Sequence, residues 1–334
     1  QLAPAALRAG SDPSVRRRES KEELGVVVLG SGLLILPATL TLSTVEHPGE
    51  LRLDSVAPSP LGYTWSLLLF IVPLIALGVW LYRRRDLALA RRACWPTLGI
   101  QTSLGFLLDL LFGNNFFAFP NQAATLGWQV PAWGGPIPVE EFVFYATGFM
   151  LTLLSYVWAD EYWVRAYRVA DQEFRARALS TLPGLHRPSM LLAASLVGAA
   201  VLYKKFLSSG PEGFPWYFLY LTVVSVLPAA GFFRSVQSFV NWRAFGFTFG
   251  VILLLSLLWE VTLAIPYGWW RYRPEAMMGL HIRPWHDLPV EAVFVWFAVS
   301  FTTVTGFEMM KIHLTRRARP QPQRPGEAVG LPAV

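Results

Sequence analysis

Apolar residues in this chain come in blocks about as long as a bilayer is thick, which leaves few folds open. The blocks run over 25–44, 61–82, 93–112, 138–158, 189–206, 214–233, 242–266 and 288–310. About 20 apolar residues at helical rise cross the hydrocarbon core. The blocks are continuous rather than alternating, so helices are favoured over a barrel. Only 15% of the residues are charged, against roughly 25% in soluble domains. The sequence therefore predicts an all-α integral membrane protein of about eight transmembrane helices. Residues 1–24 and 315–334 read as disordered tails.

Charge placement orients this map. With the N-terminus cytoplasmic, only Arg52, Lys204, Lys205, Arg271, Arg273 and Arg283 of the 28 Lys and Arg residues fall outside. That bias is what the positive-inside rule predicts, and it places both termini in the cytoplasm. The basic pI is then a consequence of topology, and a nucleic-acid partner is not implied. The lone Cys94 excludes an internal disulfide and a multi-cysteine metal site.

The chain matches itself at a shift of 151 residues. Pro138-Val139-Glu140 falls on Pro289-Val290-Glu291, and Asp109 on Glu260. Each upstream acid precedes its glutamate by 31 residues. A Gly-containing aromatic loop lies between them in both halves. Helices 2–4 thus repeat as helices 6–8. An even number of helices separates equivalents, so the repeats are parallel. Helices 1 and 5 are additions or linkers. The organisation expected is a first repeat with an N-terminal helix over 25–187, and a second repeat with a linking helix over 188–314.

This topology puts Asp109, Glu140, Glu260 and Glu291 at one depth. Glu141 lies beside Glu140. A Pro-x-Glu at a helix start is also simply a good N-terminus, because proline suits the first position and an acid suits the positive end of the dipole. Two such motifs in register, each with an upstream acid at equal spacing, favour function. A raised acid beside an ionised partner makes a proton donor and acceptor. No GxGxxG follows a strand, and no HExxH or Cys/His cluster is present, so no cofactor or metal is expected. His281 and His286 read as ordinary loop residues. Most of the aromatics read as an interfacial belt. A subset, with Phe117, Trp133, Trp269, Trp270 and Trp285 as candidates, suits a cation-stabilising wall.

These residues resemble the membrane-type lycopene cyclases, a family of two small subunits in some bacteria and of fused proteins in archaea and fungi. The resemblance covers about residues 61–158 and 212–310, and is strongest in "PVEEFVFY" and "WEVTLAIPYGWWRY". Glu140, Glu141 and Glu291 match the family's glutamate motif, and Asp109 and Glu260 its upstream acidic position. Ala292 stands where a second Glu is usual, and Leu108 where a Trp is usual. The resemblance implies a bacterial or archaeal cytoplasmic-membrane isomerase. It would close β-type rings on an acyclic carotenoid such as lycopene, without net redox change and in contact with other carotenoid enzymes.

Two other classes remain open on the residues alone. One is a proton-coupled transporter, which parallel repeats and intramembrane acids suit. The other is a carotenoid hydratase using the same carbocation. Within the cyclase reading, the repeat favours Glu140 and Glu291 as the catalytic pair, because Glu141 falls on Ala292. Glu141 is then expected to orient its neighbour.

Overall fold

The computed structural model describes residues 59–208, 210–282 and 288–318. The helix expected over 25–44, the tail 1–24, residues 319–334, Trp285 and His286 lie outside the described residues; the tail expected from 315 begins later, because the last helix runs on to Arg317. Among those described, seven long helices form one bundle: α1 (Gly62–Arg83), α2 (Ala88–Phe116), α3 (Val139–Trp163), α5 (Arg187–Phe206), α6 (Trp216–Val236), α7 (Trp242–Ala264) and α8 (Glu291–Arg317). A short helix, α4 (Asp171–Ser180), lies between α3 and α5. Six of the long helices, all but α2, are long and apolar enough to cross a membrane. α2 has the length, 29 residues. Its apolar run is diluted by Gln101, Thr102, Ser103 and Asp109, and it also begins earlier than the expected block, at Ala88.

α1 shows why these segments are helical and where they sit. Phe70, Leu74, Leu77 and Leu81 recur at helical spacing and are buried, while Leu68, Val72, Ile75 and Val79 on the other side are exposed. A helix apolar on both faces suits one face on protein and the other on lipid.

The ends of the helices form two layers. At the end we call upper, the loops 117–138 and 265–290 carry the same pieces in the same order. Each has a 3₁₀ turn, Gln122–Ala124 or Pro274–Ala276. Each then has a glycine at positive φ, Gly127 at 79° or Gly279 at 85°. Each ends in a two-residue antiparallel pair: β2 (Gln129–Val130) with β3 (Ile137–Pro138), and β5 (His281–Ile282) with β6 (Leu288–Pro289). A third pair joins the two loops, with β1 (Phe117–Ala118) antiparallel to β4 (Arg271–Tyr272). Arg273 N–H donates to the Phe116 carbonyl at 2.9 Å directly beside that pair, and Asn121 N–H to the Gly268 carbonyl at 3.2 Å further along. α1–α3 and α6–α8 leave and re-enter this layer in the same order of directions, and α5 supplies the intervening crossing.

At the lower end, most of the stretch 162–187 is exposed, but its short helix α4 is seated on the bundle. Phe174 and Ala178 of α4 are buried, Lys311 of α8 lies over the Phe174 ring, and Arg316 donates to the Thr181 carbonyl. Apolar residues at i and i+4 of a short helix are enough to seat it on a neighbour. A buried polar network ties α3, α7 and α8 together here. Tyr156 donates to Glu308 at 3.1 Å and accepts from Asn241 N–H at 3.1 Å. Asn241 Nδ2 donates to Asp160 at 2.9 Å, and Lys311 pairs with Glu308 at 2.9 Å. Buried charges persist when paired and hydrogen-bonded in this way.

Candidate active site

Under the upper layer, α3, α7 and α8 enclose a cavity against the loop residues. Glu141 and Glu260 line it, with Phe117, Phe144, Tyr145, Phe149, Tyr217, Trp270, Tyr272 and Trp296 as its aromatic wall. Gly148 lies in the same wall, and a Cβ there would stand 3.3 Å from the Trp296 ring. The absence of a side chain at Gly148 lets α3 and the α8 tryptophan close the floor.

Each carboxylate on the cavity is held by a tyrosine. Tyr63, fully buried in the first turn of α1, donates to Glu141 Oε2 at 2.7 Å. The Tyr63 ring stacks on Trp269, 5.9 Å between centroids at an interplanar angle of 4°. Trp269 is fixed in turn by its Nε1–H donating to Ser59 at 2.8 Å. Tyr272 of β4 donates to Glu260 Oε1. Burial, and then the Glu260 carboxylate, hold the Tyr272 phenol well above the usual tyrosine range, so it remains a donor. Glu260 opens a widened, π-helical turn, Glu260–Ala264, in which Ile265 N–H donates to the Glu260 carbonyl at 3.0 Å. Such single π turns concentrate at functional sites.

Glu140 and Glu291 are placed differently from expectation. Neither lines the cavity. Glu140 Oε1 accepts from Leu126 N–H at 2.6 Å and from the Thr64 hydroxyl at 2.6 Å. Glu291 Oε1 accepts from Met278 N–H at 2.5 Å. The two glutamates thus each grip the backbone N–H just before a positive-φ glycine, Gly127 in one loop and Gly279 in the other. The physical reason is that adjacent helical residues point about 100° apart. Glu140 points up into its own loop, which leaves Glu141 pointing inward. Ala292, which the 151-residue shift puts on Glu141, packs with Leu257, Val261 and Leu288 away from the cavity, and Glu260 of α7 provides the second cavity acid.

Asp109 is buried, within electrostatic reach of Glu141, Tyr145 and Tyr220, but does not line the cavity. Of the aromatic candidates, Phe117 and Trp270 are on the cavity wall. Trp269 stands behind Tyr63, and Trp133 is 73% exposed in the upper loop. His281 is exposed in β5. Among the described residues, no group of three or more His, Cys, Asp or Glu is placed to hold a metal ion.

Sequence reasoning missed Tyr63, Phe144, Tyr145, Tyr217 and Trp296. A signal for several of them was present. Glu141, Tyr145, Gly148 and Phe149 are spaced i, i+4, i+7 and i+8, one face of a helix. Val295, Trp296 and Val299 form the facing stripe of α8. Tyr63 carries no such mark, because its partner lies 78 residues away.

Fold and site together define a helical membrane protein with two carboxylates on an aromatic-walled cavity near one end of the bundle. No model of a known protein family, no curated protein and no solved structure matches the chain.

Proposed function

We propose that this protein is a proton-driven cyclase of acyclic carotenoids such as lycopene, with Glu141 and Glu260 as the acid–base pair. The observation that carries the proposal is that these two carboxylates, each with a tyrosine donor, face one aromatic cavity. One carboxyl group gives a proton to C2 of the linear end, leaving a cation at C1. The electrons of C5=C6 form the C1–C6 bond and the positive charge moves to C5. The other carboxylate takes the proton from C6, which closes a β-type ring with no net gain or loss of protons or electrons. Ring faces from Phe144, Trp270 and Trp296 stabilise the cation electrostatically, and their packing keeps out water that would trap it as an alcohol.

The proposal includes two parallel repeats, α1–α3 and α6–α8, with α5 as linker. The matching loops, the matching grips of Glu140 and Glu291, and the pairing of β1 with β4 between the two loops support it. It also includes a cytoplasmic-membrane setting, bacterial or archaeal, with the acid end outward, which the distribution of Arg and Lys supports.

The test is lycopene conversion by purified protein in liposomes. Glu141→Gln and Glu260→Gln should each lower ring formation by roughly 10²–10⁴-fold, the usual cost of losing a general acid or base. Wild-type rates in either variant, or no cyclic product from wild type, refute the assignment. A hydroxylated product would point to a hydratase instead.

A further inference from the structure

The acid cavity does not end at its aromatic wall. Tyr145, Phe149, Tyr217, Val295 and Val299 are shared with a second cleft that runs down the bundle between α2 and α6, with α8 behind it. Its α2 side is Leu108, Gly105, Leu104 and Gln101, and its α6 side is Tyr220, Leu221, Val224 and Ser225. The roof is closed by rings: Phe116 lies 5.0 Å and Phe112 6.0 Å from Tyr220, between centroids. Below that roof, Gly105, Leu108, Val224, Val295 and Val299 are all partly exposed although they lie within helices of the bundle. Leu104 and Val223 at the rim are exposed. In a membrane-embedded bundle such a cleft opens sideways onto lipid tails rather than water.

We infer that this lateral cleft seats the chain of a linear polyisoprenoid hydrocarbon, one end of which lies in the acid cavity. The inference rests on the cyclase reading for the identity of that end. The cleft adds that substrate arrives from within the bilayer and is processed one end at a time. Its length fits this use. From Asp109 to Gln101 is eight residues of helix, about 12 Å, much shorter than an extended long-chain carotene. The apolar lining stops where Ser225 Oγ meets Thr302 Oγ1 at 2.6 Å and Gln101 Nε2 reaches the Thr302 carbonyl at 3.5 Å. A hydrocarbon descending from the cavity has apolar partners only as far as that polar set, and then leaves between Leu104 and Val224 into lipid. Gly105 keeps the passage open: a Cβ there would already stand 3.0 Å from the Phe149 ring.

Two variants narrow the cleft from opposite walls, Gly105→Leu on α2 and Val224→Phe on α6. Leu107→Phe, on the exposed outer face of α2, is the control. Binding of lycopene in detergent micelles is read by quenching of tryptophan fluorescence, and ring formation is read separately. Both narrowing variants should weaken binding at least tenfold and slow ring formation with it. Leu107→Phe should change neither. Glu141→Gln should slow ring formation by roughly 10²–10⁴-fold. Wild-type binding by both Gly105→Leu and Val224→Phe overturns the cleft. Loss of binding in the two narrowed variants, with no ring formed even by wild type, upholds the cleft and refutes the cyclase reading.

Discussion

Replacing Glu140 by alanine tests the division of labour between adjacent glutamates. In the structure Glu140 Oε1 satisfies two donors, the Leu126 N–H and the Thr64 hydroxyl, both at 2.6 Å. Removing the carboxylate strands both. A buried donor left without a partner costs about 1–3 kcal/mol. Two donors, one of them near the surface, set the expected loss for Glu140→Ala at about 2–5 kcal/mol, localised to the loop that starts α3. Glu291→Ala strands only Met278 N–H, and should cost about 1–3 kcal/mol. Glutamine keeps the carbonyl acceptor, so Glu140→Gln and Glu291→Gln should lose less than about 1 kcal/mol and keep most ring formation. The assay is thermal unfolding of the protein in detergent, together with the rate of chymotrypsin cleavage at the exposed Trp128. Local opening made easier by 2–5 kcal/mol accelerates that cleavage at least about tenfold. The reasoning is refuted if Glu140→Gln is as damaging to stability as Glu140→Ala, or if Glu140→Gln abolishes ring formation while Glu141→Gln does not.

Tyr63→Phe removes the 2.7 Å bond to Glu141. A hydrogen bond to a charged group is worth about 1.5–3 kcal/mol, so ring formation should fall roughly tenfold to a hundredfold with lycopene binding unchanged. Gly213→Ala should destabilise by at least about 1–2 kcal/mol, read as a lower unfolding temperature. Gly213 holds φ of 75°, and a Cβ there would collide with the Glu275 carbonyl oxygen. Tyr272 has its phenol raised by burial and by Glu260. The stability this gives is complete below about pH 10, the unfolded tyrosine value, and should be lost as pH rises from there towards the folded value. Difference titration of phenolate absorbance against Tyr272→Phe checks it, and ionisation of Tyr272 near pH 10 in the folded protein would contradict the burial argument.

What the sequence determined by itself was whatever depends on local pattern. Long apolar runs have one economical way to satisfy their backbone in lipid, so the helices and most of their limits were legible. The repeat offset located Glu140 and Glu291 at matching helix starts, and the matching spacing of Asp109 and Glu260 pointed to an acid near the end of α7. Tertiary structure decided which acid does what. Glu140 and Glu141 differ by one residue in sequence and by about 100° around the helix. Which one faces the cavity depends on where the loop around Leu126 comes to rest. The partnership of Tyr63 with Glu141, and the seating of α4 beneath α8, likewise join segments far apart in the chain. Such contacts leave no periodic trace in either segment, because each partner is free to occupy any register until packing fixes it.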